Sequence, residues 1–283
     1  MPYLKELIFR LVGLCLAAGL LGLCATAQTE EPASDVGAQI SGHGQAAYAL
    51  GNYEGALFFF EQACHADGAS SCFKAGEMYE TGLGTPQILD AALYYYDVGC
   101  GLGDAASCKA SRPYYQQAII DCAETDAQAC VLLGSARANG LPVTGSDPEQ
   151  AFLDFDRACD LGYGPGCSGL GQLYAQGLGI EQSNADSIAH YELGCRRGDR
   201  AICGLVGDAY AAGAEVDYDA AMAMEYYRLG CEQADVHSCK SLGYAYWDGK
   251  LIATDTSVAR AFLQPVCDAG DVAVCNDLPL LDE

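Results

Sequence analysis

Residues 151–177 read AFLDFDRACDLGYGPGCSGLGQLYAQG, and this stretch decides the fold. Ala151, Phe155 and Cys159 are spaced by four, so they share one face of a helix. Gly162, three residues past Cys159, suits the end of that helix. Cys167, Leu170, Gly171 and Tyr174 then open a second helical stretch. Gly177 suits its C-cap, where φ is positive. An early glycine such as Gly171 costs a helix about 1 kcal/mol relative to alanine, so a close backbone crossing is expected to offset it. The two helices form an antiparallel hairpin. Cys159 sits in the last turn of the first and Cys167 in the first turn of the second. Side by side, they suit a bridge, which needs Cα atoms within about 7 Å.

The same register runs outward in both directions. Cysteines stand in pairs at 64/72, 100/108, 122/130, 159/167, 195/203, 231/239 and 267/275, each with seven residues between its members. First members are spaced 36, 22, 37, 36, 36 and 36 apart, the sign of a solenoid. Eight residues before the first cysteine stand Ala56, Ala92, Ala151, Ser187, Ala223 and Ala259. Four before it stand Phe60, Tyr96, Phe155, Tyr191, Tyr227 and Leu263. After the second cysteine come Gly76, Gly134, Gly171, Gly207 and Gly243 at +4, Tyr79, Tyr174, Tyr210 and Tyr246 at +7, and Gly82, Gly140, Gly177, Gly213 and Gly249 at +10. Between the cysteines, Gly103, Gly162, Gly198 and Gly270 end the first helix, and Asp104, Asp126, Asp199, Asp235 and Asp271 can N-cap the second. The fold class is therefore all-α, a solenoid of helical hairpins over residues 38–279 whose units pack only on their neighbours.

One unit is irregular. Only 13 residues separate Cys108 from Cys122, and Ser111-Arg112-Pro113 replaces the usual Leu-Gly pattern. Over 109–130 we expect a short second helix ending before Pro113, a new helix over 114–122, and a kink in the array. After Cys275 only NDLPLLDE remains, which reads as a terminal cap with an acidic tail at 280–283.

The first 27 residues read as an export signal. Lys5 and Arg10 precede an apolar run over 11–23, short for a bilayer span. Ala25-Thr26-Ala27 fits a small-x-small cleavage site, giving a mature start at Gln28. Lipid attachment at Cys24 is the alternative, though Leu21-Gly22-Leu23 before it puts a bulky Leu23 where that processing wants a small residue. Residues 28–37 are polar and read as a disordered lead. Removing 1–27 takes Cys15 and Cys24 from 16 cysteines and leaves an even 14, as a paired framework in an oxidising compartment requires. Periplasmic or secreted localisation follows. The whole chain carries −24, and loss of Lys5, Arg10 and Glu6 leaves −25. A surface that negative excludes nucleic acid and anionic lipid as partners. No later stretch is long and apolar enough to span a membrane.

The pattern Ala-x3-aromatic-x3-Cys, then Cys-x2-Leu-Gly-x2-Tyr-x2-Gly, resembles the Sel1-like repeat family, kin of tetratricopeptide repeats. Its Cys-x7-Cys element is similar to the secreted Helicobacter cysteine-rich protein family. Residues 45–64, with Gly51-Asn52-Tyr53-Glu54-x-Ala56, look more like an ordinary tetratricopeptide unit. The resemblance implies a right-handed superhelix with disulfides Cys64–Cys72, Cys100–Cys108, Cys122–Cys130, Cys159–Cys167, Cys195–Cys203, Cys231–Cys239 and Cys267–Cys275. It also implies protein binding or adaptor scaffolding, and we expect a protein or peptide partner, in the cell envelope or outside the cell, to be held on the concave face.

Candidate chemistry is sparse. Structural zinc sites use Cys-x2–4-Cys knuckles in fours, whereas these gaps are seven and come in twos, so no metal is expected. Some relatives have been described as β-lactamases or penicillin-binding proteins, which makes a hydrolase the alternative function. Such enzymes use Ser-x-x-Lys, Ser-Asp-Asn and Lys-Thr-Gly elements. Ser71-Cys72-Phe73-Lys74 matches the first by letter, and neither other element occurs. His43, His65, His190 and His237 lie in different units. No Walker loop, dinucleotide fingerprint, HExxH or calcium loop is present, so no cofactor and no catalytic residue is assigned. The residue five before the first cysteine reads Phe59, Tyr95, Asp154, His190, Tyr226 and Phe262. That mixture of rings and polar groups is unlike a core column. Phe59, Tyr95, Asp154, His190, Tyr226 and the single Trp247 are therefore the candidate lining of a partner groove, with packing against the next repeat as the competing role.

Overall fold

The computed structural model describes residues 33–213 and 216–282. The expected signal segment, its expected cleavage site and most of the polar lead lie outside these residues. The lead's last residues, 33–37, belong to α1 (Ala33–Ala49), which packs against α2 (Tyr53–His65). The ordered array therefore begins ahead of residue 38.

Each regular unit is a pair of short helices. α2 is followed by α3 (Ala69–Thr81), and α4 (Leu89–Gly101) leads into α5 (Ala105–Ala123). Next come α6 (Ala127–Ala138), α7 (Pro148–Asp160), α8 (Gly164–Gln176), α9 (Asn184–Arg196) and α10 (Arg200–Ala212). α11 (Ala220–Glu232), α12 (Val236–Asp248), α13 (Thr256–Asp268) and α14 (Val272–Asp277) complete the array, with a 3-10 turn over Leu278–Asp282. Among the described residues all regular structure is helical.

The punctuation seen in the sequence makes these elements. Asp104, Asp126, Asp235 and Asp271 accept hydrogen bonds from backbone amides two or three residues on, as N-caps should. Asp199 stands at the same position without a side-chain cap bond. The third residue after each first cysteine has positive φ in all seven hairpins: Asp67, Gly103, Thr125, Gly162, Gly198, Ala234 and Gly270. Gly82, Gly177, Gly213 and Gly249 close the second helices in the left-handed conformation. Each bridge then joins the last turn of one helix to the first turn of the next, with Cα atoms 4.5–4.9 Å apart.

Neighbouring hairpins meet through the early glycine. A Cβ on Gly76 would lie 2.5 Å from the ring of Tyr96, on Gly171 2.6 Å from Tyr191, and on Gly207 2.5 Å from Tyr227. So the rings of Tyr96, Tyr191 and Tyr227 lie against the bare backbone of the second helix before each. The amide of the residue capping that first helix also bonds back to the +7 tyrosine carbonyl: Ile88 to Tyr79, Ser183 to Tyr174, Asp219 to Tyr210 and Asp255 to Tyr246. These bonds tie hairpin to hairpin, and burial continues from unit to unit.

The irregular unit departs from expectation. α5 is one continuous 19-residue helix with Pro113 inside it. A proline interior to a helix costs about 3 kcal/mol. Here its ring is exposed, while Ser107, Ser111, Tyr115, Ala118 and Cys122 form an unbroken buried stripe past it. The hydroxyl of Tyr115 donates to Asp97 at 2.5 Å and that of Tyr114 to Glu80 at 2.9 Å, which anchors the half after Pro113 to earlier helices, while the Cys100–Cys108 bridge ties the half before it to α4. Tertiary burial overrides the local break.

α5 therefore serves two hairpins, bridged to α4 through Cys108 and to α6 through Cys122. Fourteen residues at 1.5 Å each put those bridges about 21 Å apart, at opposite ends of one helix. Successive helices joined by short loops run antiparallel. Bridges Cys64–Cys72 and Cys100–Cys108 consequently lie on one edge of the array, and the remaining five lie on the other. At the far end, Leu278 and Leu281 are buried against Ala259, Leu263, Val266 and Val274. The terminal segment thus packs as a lid on the last hairpin.

Candidate functional site

The column five residues before each first cysteine lies in the seam between hairpins. Tyr95 stacks on Tyr79 (ring centroids 5.5 Å apart), His190 on Tyr174 (5.0 Å), Tyr226 on Tyr210 (5.9 Å) and Phe262 on Tyr246 (6.1 Å). Each pair joins a second helix to the following first helix. Tyr95 is 8% exposed and Tyr226 0% exposed, so neither offers a surface to a partner. Their place is structural, because a ring there completes a stack that a smaller residue would leave open. Phe59 is half-buried, tilted on His43 and edge-on to Phe58. Trp247 is half-buried, stacked on Tyr244 at 5.8 Å and packed into the C-terminal cluster.

Carboxylates hold the ring ladder in place. Glu61 accepts from the hydroxyls of both Tyr79 (2.6 Å) and Tyr95 (3.0 Å), and Glu192 accepts from Tyr210. The hydrogen bonds to Glu61 and Glu192 push Tyr79 and Tyr210 up to about 12, with burial adding to the effect. Burial first, then the bond to Glu61, raises Tyr95. These phenols are donors throughout the neutral range.

One seam breaks the pattern. At the +7 position of α6 stands Arg137 in place of tyrosine, and opposite it on α7 stands Asp154 in place of a ring. The guanidinium Nη1 donates to Asp154 Oδ2 in an ion pair, and Gln150 Nε2 donates to Oδ1 at 3.4 Å. Asp154 is 6% exposed. Burial raises its pKa, against the opposing pull of Arg137. Beside this pair opens a cleft of about 620 Å³ lined by the C-terminal half of α5, Thr125, α6 and α7. Ile119, Leu153 and Leu161 are 51%, 57% and 43% exposed there. Arg157 caps the end of α5 by donating to the Ala123 carbonyl at 2.8 Å. Asp156 and Asp160 complete the lining. Both columns were legible in the sequence. What went unread was that Arg137 fills the tyrosine column directly opposite Asp154.

The Ser-x-x-Lys letters do not come together as a catalytic pair. Ser71 is buried at a small-residue position next to a bridge, and its hydroxyl donates to Ser41 Oγ at 3.0 Å. Lys74 is exposed and paired with Glu77 at 2.7 Å. His190 Nδ1 contacts the Asp186 carbonyl of its own helix at 2.8 Å, and His237 pairs with Asp208 at 2.8 Å. Among the described residues, no three His, Cys, Asp or Glu side chains converge as metal ligands, and no helix is long and apolar enough to cross a membrane.

The family profile described as Sel1 repeat matches residues 35–67, 69–104, 127–163, 164–199, 203–235 and 236–271. It passes over 105–126, which is α5 and its turn. No curated protein matches the chain. Among solved structures, a protective antigen present in uropathogenic Escherichia coli strains, displaying an SLR fold, is 19% identical with a TM-score of 0.53. That alignment covers 89% of this chain and 59% of the antigen. A Sel1 repeat protein from Oxalobacter formigenes is 22% identical over 83% of this chain and 86% of that one, with a TM-score of 0.49. Cysteine-rich protein B of Helicobacter pylori is 24% identical over 46% of this chain and 94% of that one, with a TM-score of 0.37.

Proposed function

The chain belongs to the Sel1 repeat family, and from that premise we propose that it is an exported scaffold that binds a protein or peptide partner, without catalysis, at the cleft between α5 and α7. One observation carries this reading. Three departures from the repeat converge on that cleft: the fused helix α5, Arg137 in the tyrosine column and Asp154 in the ring column. A repeat array needs none of them to fold, since the other units fold without them. The proposal moves the binding surface from the row of rings expected on the concave face, where Tyr95 and Tyr226 are buried, to the junction where α5 opens the array. Seven bridges fit an oxidising compartment, in keeping with export and cleavage after Ala27.

Affinity capture from the producing organism's envelope fraction, using oxidised protein and cross-linking mass spectrometry, tests the reading. Cross-links concentrated on α5, α6 and α7 are the expected result. Cross-links confined to α1–α3 and α11–α14 would overturn the cleft, and turnover of nitrocefin would overturn the non-catalytic scaffold.

A further inference from the structure

The chemistry of the cleft narrows what it holds. Its two cations are already engaged: Arg137 is committed to Asp154, and Arg157 donates to the Ala123 carbonyl. Neither is a ready site for an anion. Asp156 and Asp160, by contrast, have no ion-pair or hydrogen-bond partner among the described residues. They sit four apart on α7, and Leu153, three residues before Asp156, shares their face. The exposed side chains of Ile119, Leu153 and Leu161 supply an apolar floor, and unpaired carboxylates stand at its edge. A second copy of the chain is a poor occupant, because each copy carries −24 and like charges repel.

Resting on the binding reading above, we infer that the α5–α7 cleft takes a basic amphipathic helical segment of a protein partner. Its apolar side chains lie on Ile119, Leu153 and Leu161, and its lysines or arginines reach Asp156 and Asp160. Helix-in-groove docking reads such a segment through anchors spaced three or four apart. The acidic charge of the whole chain speeds the encounter and makes it salt-sensitive.

The test uses two fluorescein-labelled peptides of about 15 residues, one with leucine and lysine at helical spacing and one with glutamate in place of each lysine. Binding to the full oxidised protein is followed by anisotropy. A cleft variant carries Leu153→Ser, Asp156→Asn and Asp160→Asn. A control carries the same chemical changes elsewhere on the surface: Leu205→Ser, Asp217→Asn and Glu181→Gln. Circular dichroism establishes that both variants keep the helical fold. The proposal expects the lysine peptide to bind, the glutamate peptide not to bind, the cleft variant to lose at least about tenfold in affinity, and the control to stay within about twofold. Equal losses in both variants would assign binding to diffuse surface charge and overturn it. A dimer in sedimentation that Leu153→Ser dissolves would make a second copy the occupant and also overturn it. If the lysine peptide fails to bind while a captured envelope protein still cross-links to α5–α7, this occupant is wrong and the scaffold reading stands. If no protein cross-links there either, both fall.

Discussion

Replacing Thr125 by glycine should stabilise the protein. All seven hairpins need a left-handed residue three positions after the first cysteine, and four of them use glycine there, with φ between 85° and 102°. Thr125 takes that conformation at φ 86° despite its branched Cβ, whereas Asp67 and Ala234 sit at 61° and 62°. The left-handed region costs an ordinary residue roughly 1–2 kcal/mol. Glycine removes that strain but loses about 0.5–1 kcal/mol through the greater freedom of its unfolded chain. The expected net gain is about 0.5–1 kcal/mol. The cause is backbone alone, because a Cβ on Gly103, Gly162, Gly198 or Gly270 would meet nothing within 4 Å. Gly198→Ala should therefore cost about 1 kcal/mol with no steric clash. Urea unfolding of the oxidised variants measures both, as a midpoint shift at constant slope. A Thr125→Gly protein less stable than wild type, together with a neutral Gly198→Ala, would refute the backbone-strain reasoning.

Four further outcomes are expected. Gly207→Ala drives a methyl to 2.5 Å from the Tyr227 ring and should destabilise by about 1–3 kcal/mol, more than Gly134→Ala, where the nearest ring atom is 3.0 Å away; urea midpoints compare the two. Arg137→Ala strands Asp154 and should cost about 3–5 kcal/mol, while the double change Arg137→Tyr with Asp154→His restores the seam found elsewhere and should recover most of that loss. Tyr79 and Tyr210 should ionise near 12 by ultraviolet titration; because folding raises these phenol pKa values, their contribution to stability is intact below the unfolded value of 10 and is lost as pH climbs from there toward 12. Mass spectrometry of exported protein should find Gln28 as the first residue, and a diacylglyceryl group on Cys24 would disprove that processing.

Much of this molecule is written in its register. Gly177 and Gly213 announce helix ends because only a residue without Cβ takes φ near 65° freely. Ala56, Ala92, Ala151, Ala223 and Ala259, with Ser187 in the same column, announce the buried stripe because the position takes only small side chains, and the five alanines are 0% exposed. Pro113 was misleading for a physical reason. The rule that proline ends a helix is local, and the stripe through Ser107, Ser111, Tyr115, Ala118 and Cys122 is held by contacts with α3 and α4 that local reasoning does not weigh. The −5 column left two roles open, groove lining and packing against the next repeat, because its mixed chemistry looks like surface. Its partners are the +7 tyrosines 16 residues earlier, and the stack is visible only when the two columns are set against each other. Arg137 and Asp154 are 17 apart and form the same contact in ionic form. The cleft beside them depends on where a fused helix leaves space, which no single column encodes.

The continuity of α5 underlies both the reversal of bridge edges and the opening of the cleft. Its most direct test is a distance between spin labels carried by non-natural amino acids at the exposed positions Ala106 and Ile120, measured by double electron–electron resonance in the oxidised protein. A single helix through Pro113 gives about 21 Å between the two backbones and one narrow distribution. A break before Pro113, with the chain turning into a separate helix, would give a clearly shorter or broad distribution and contradict the account.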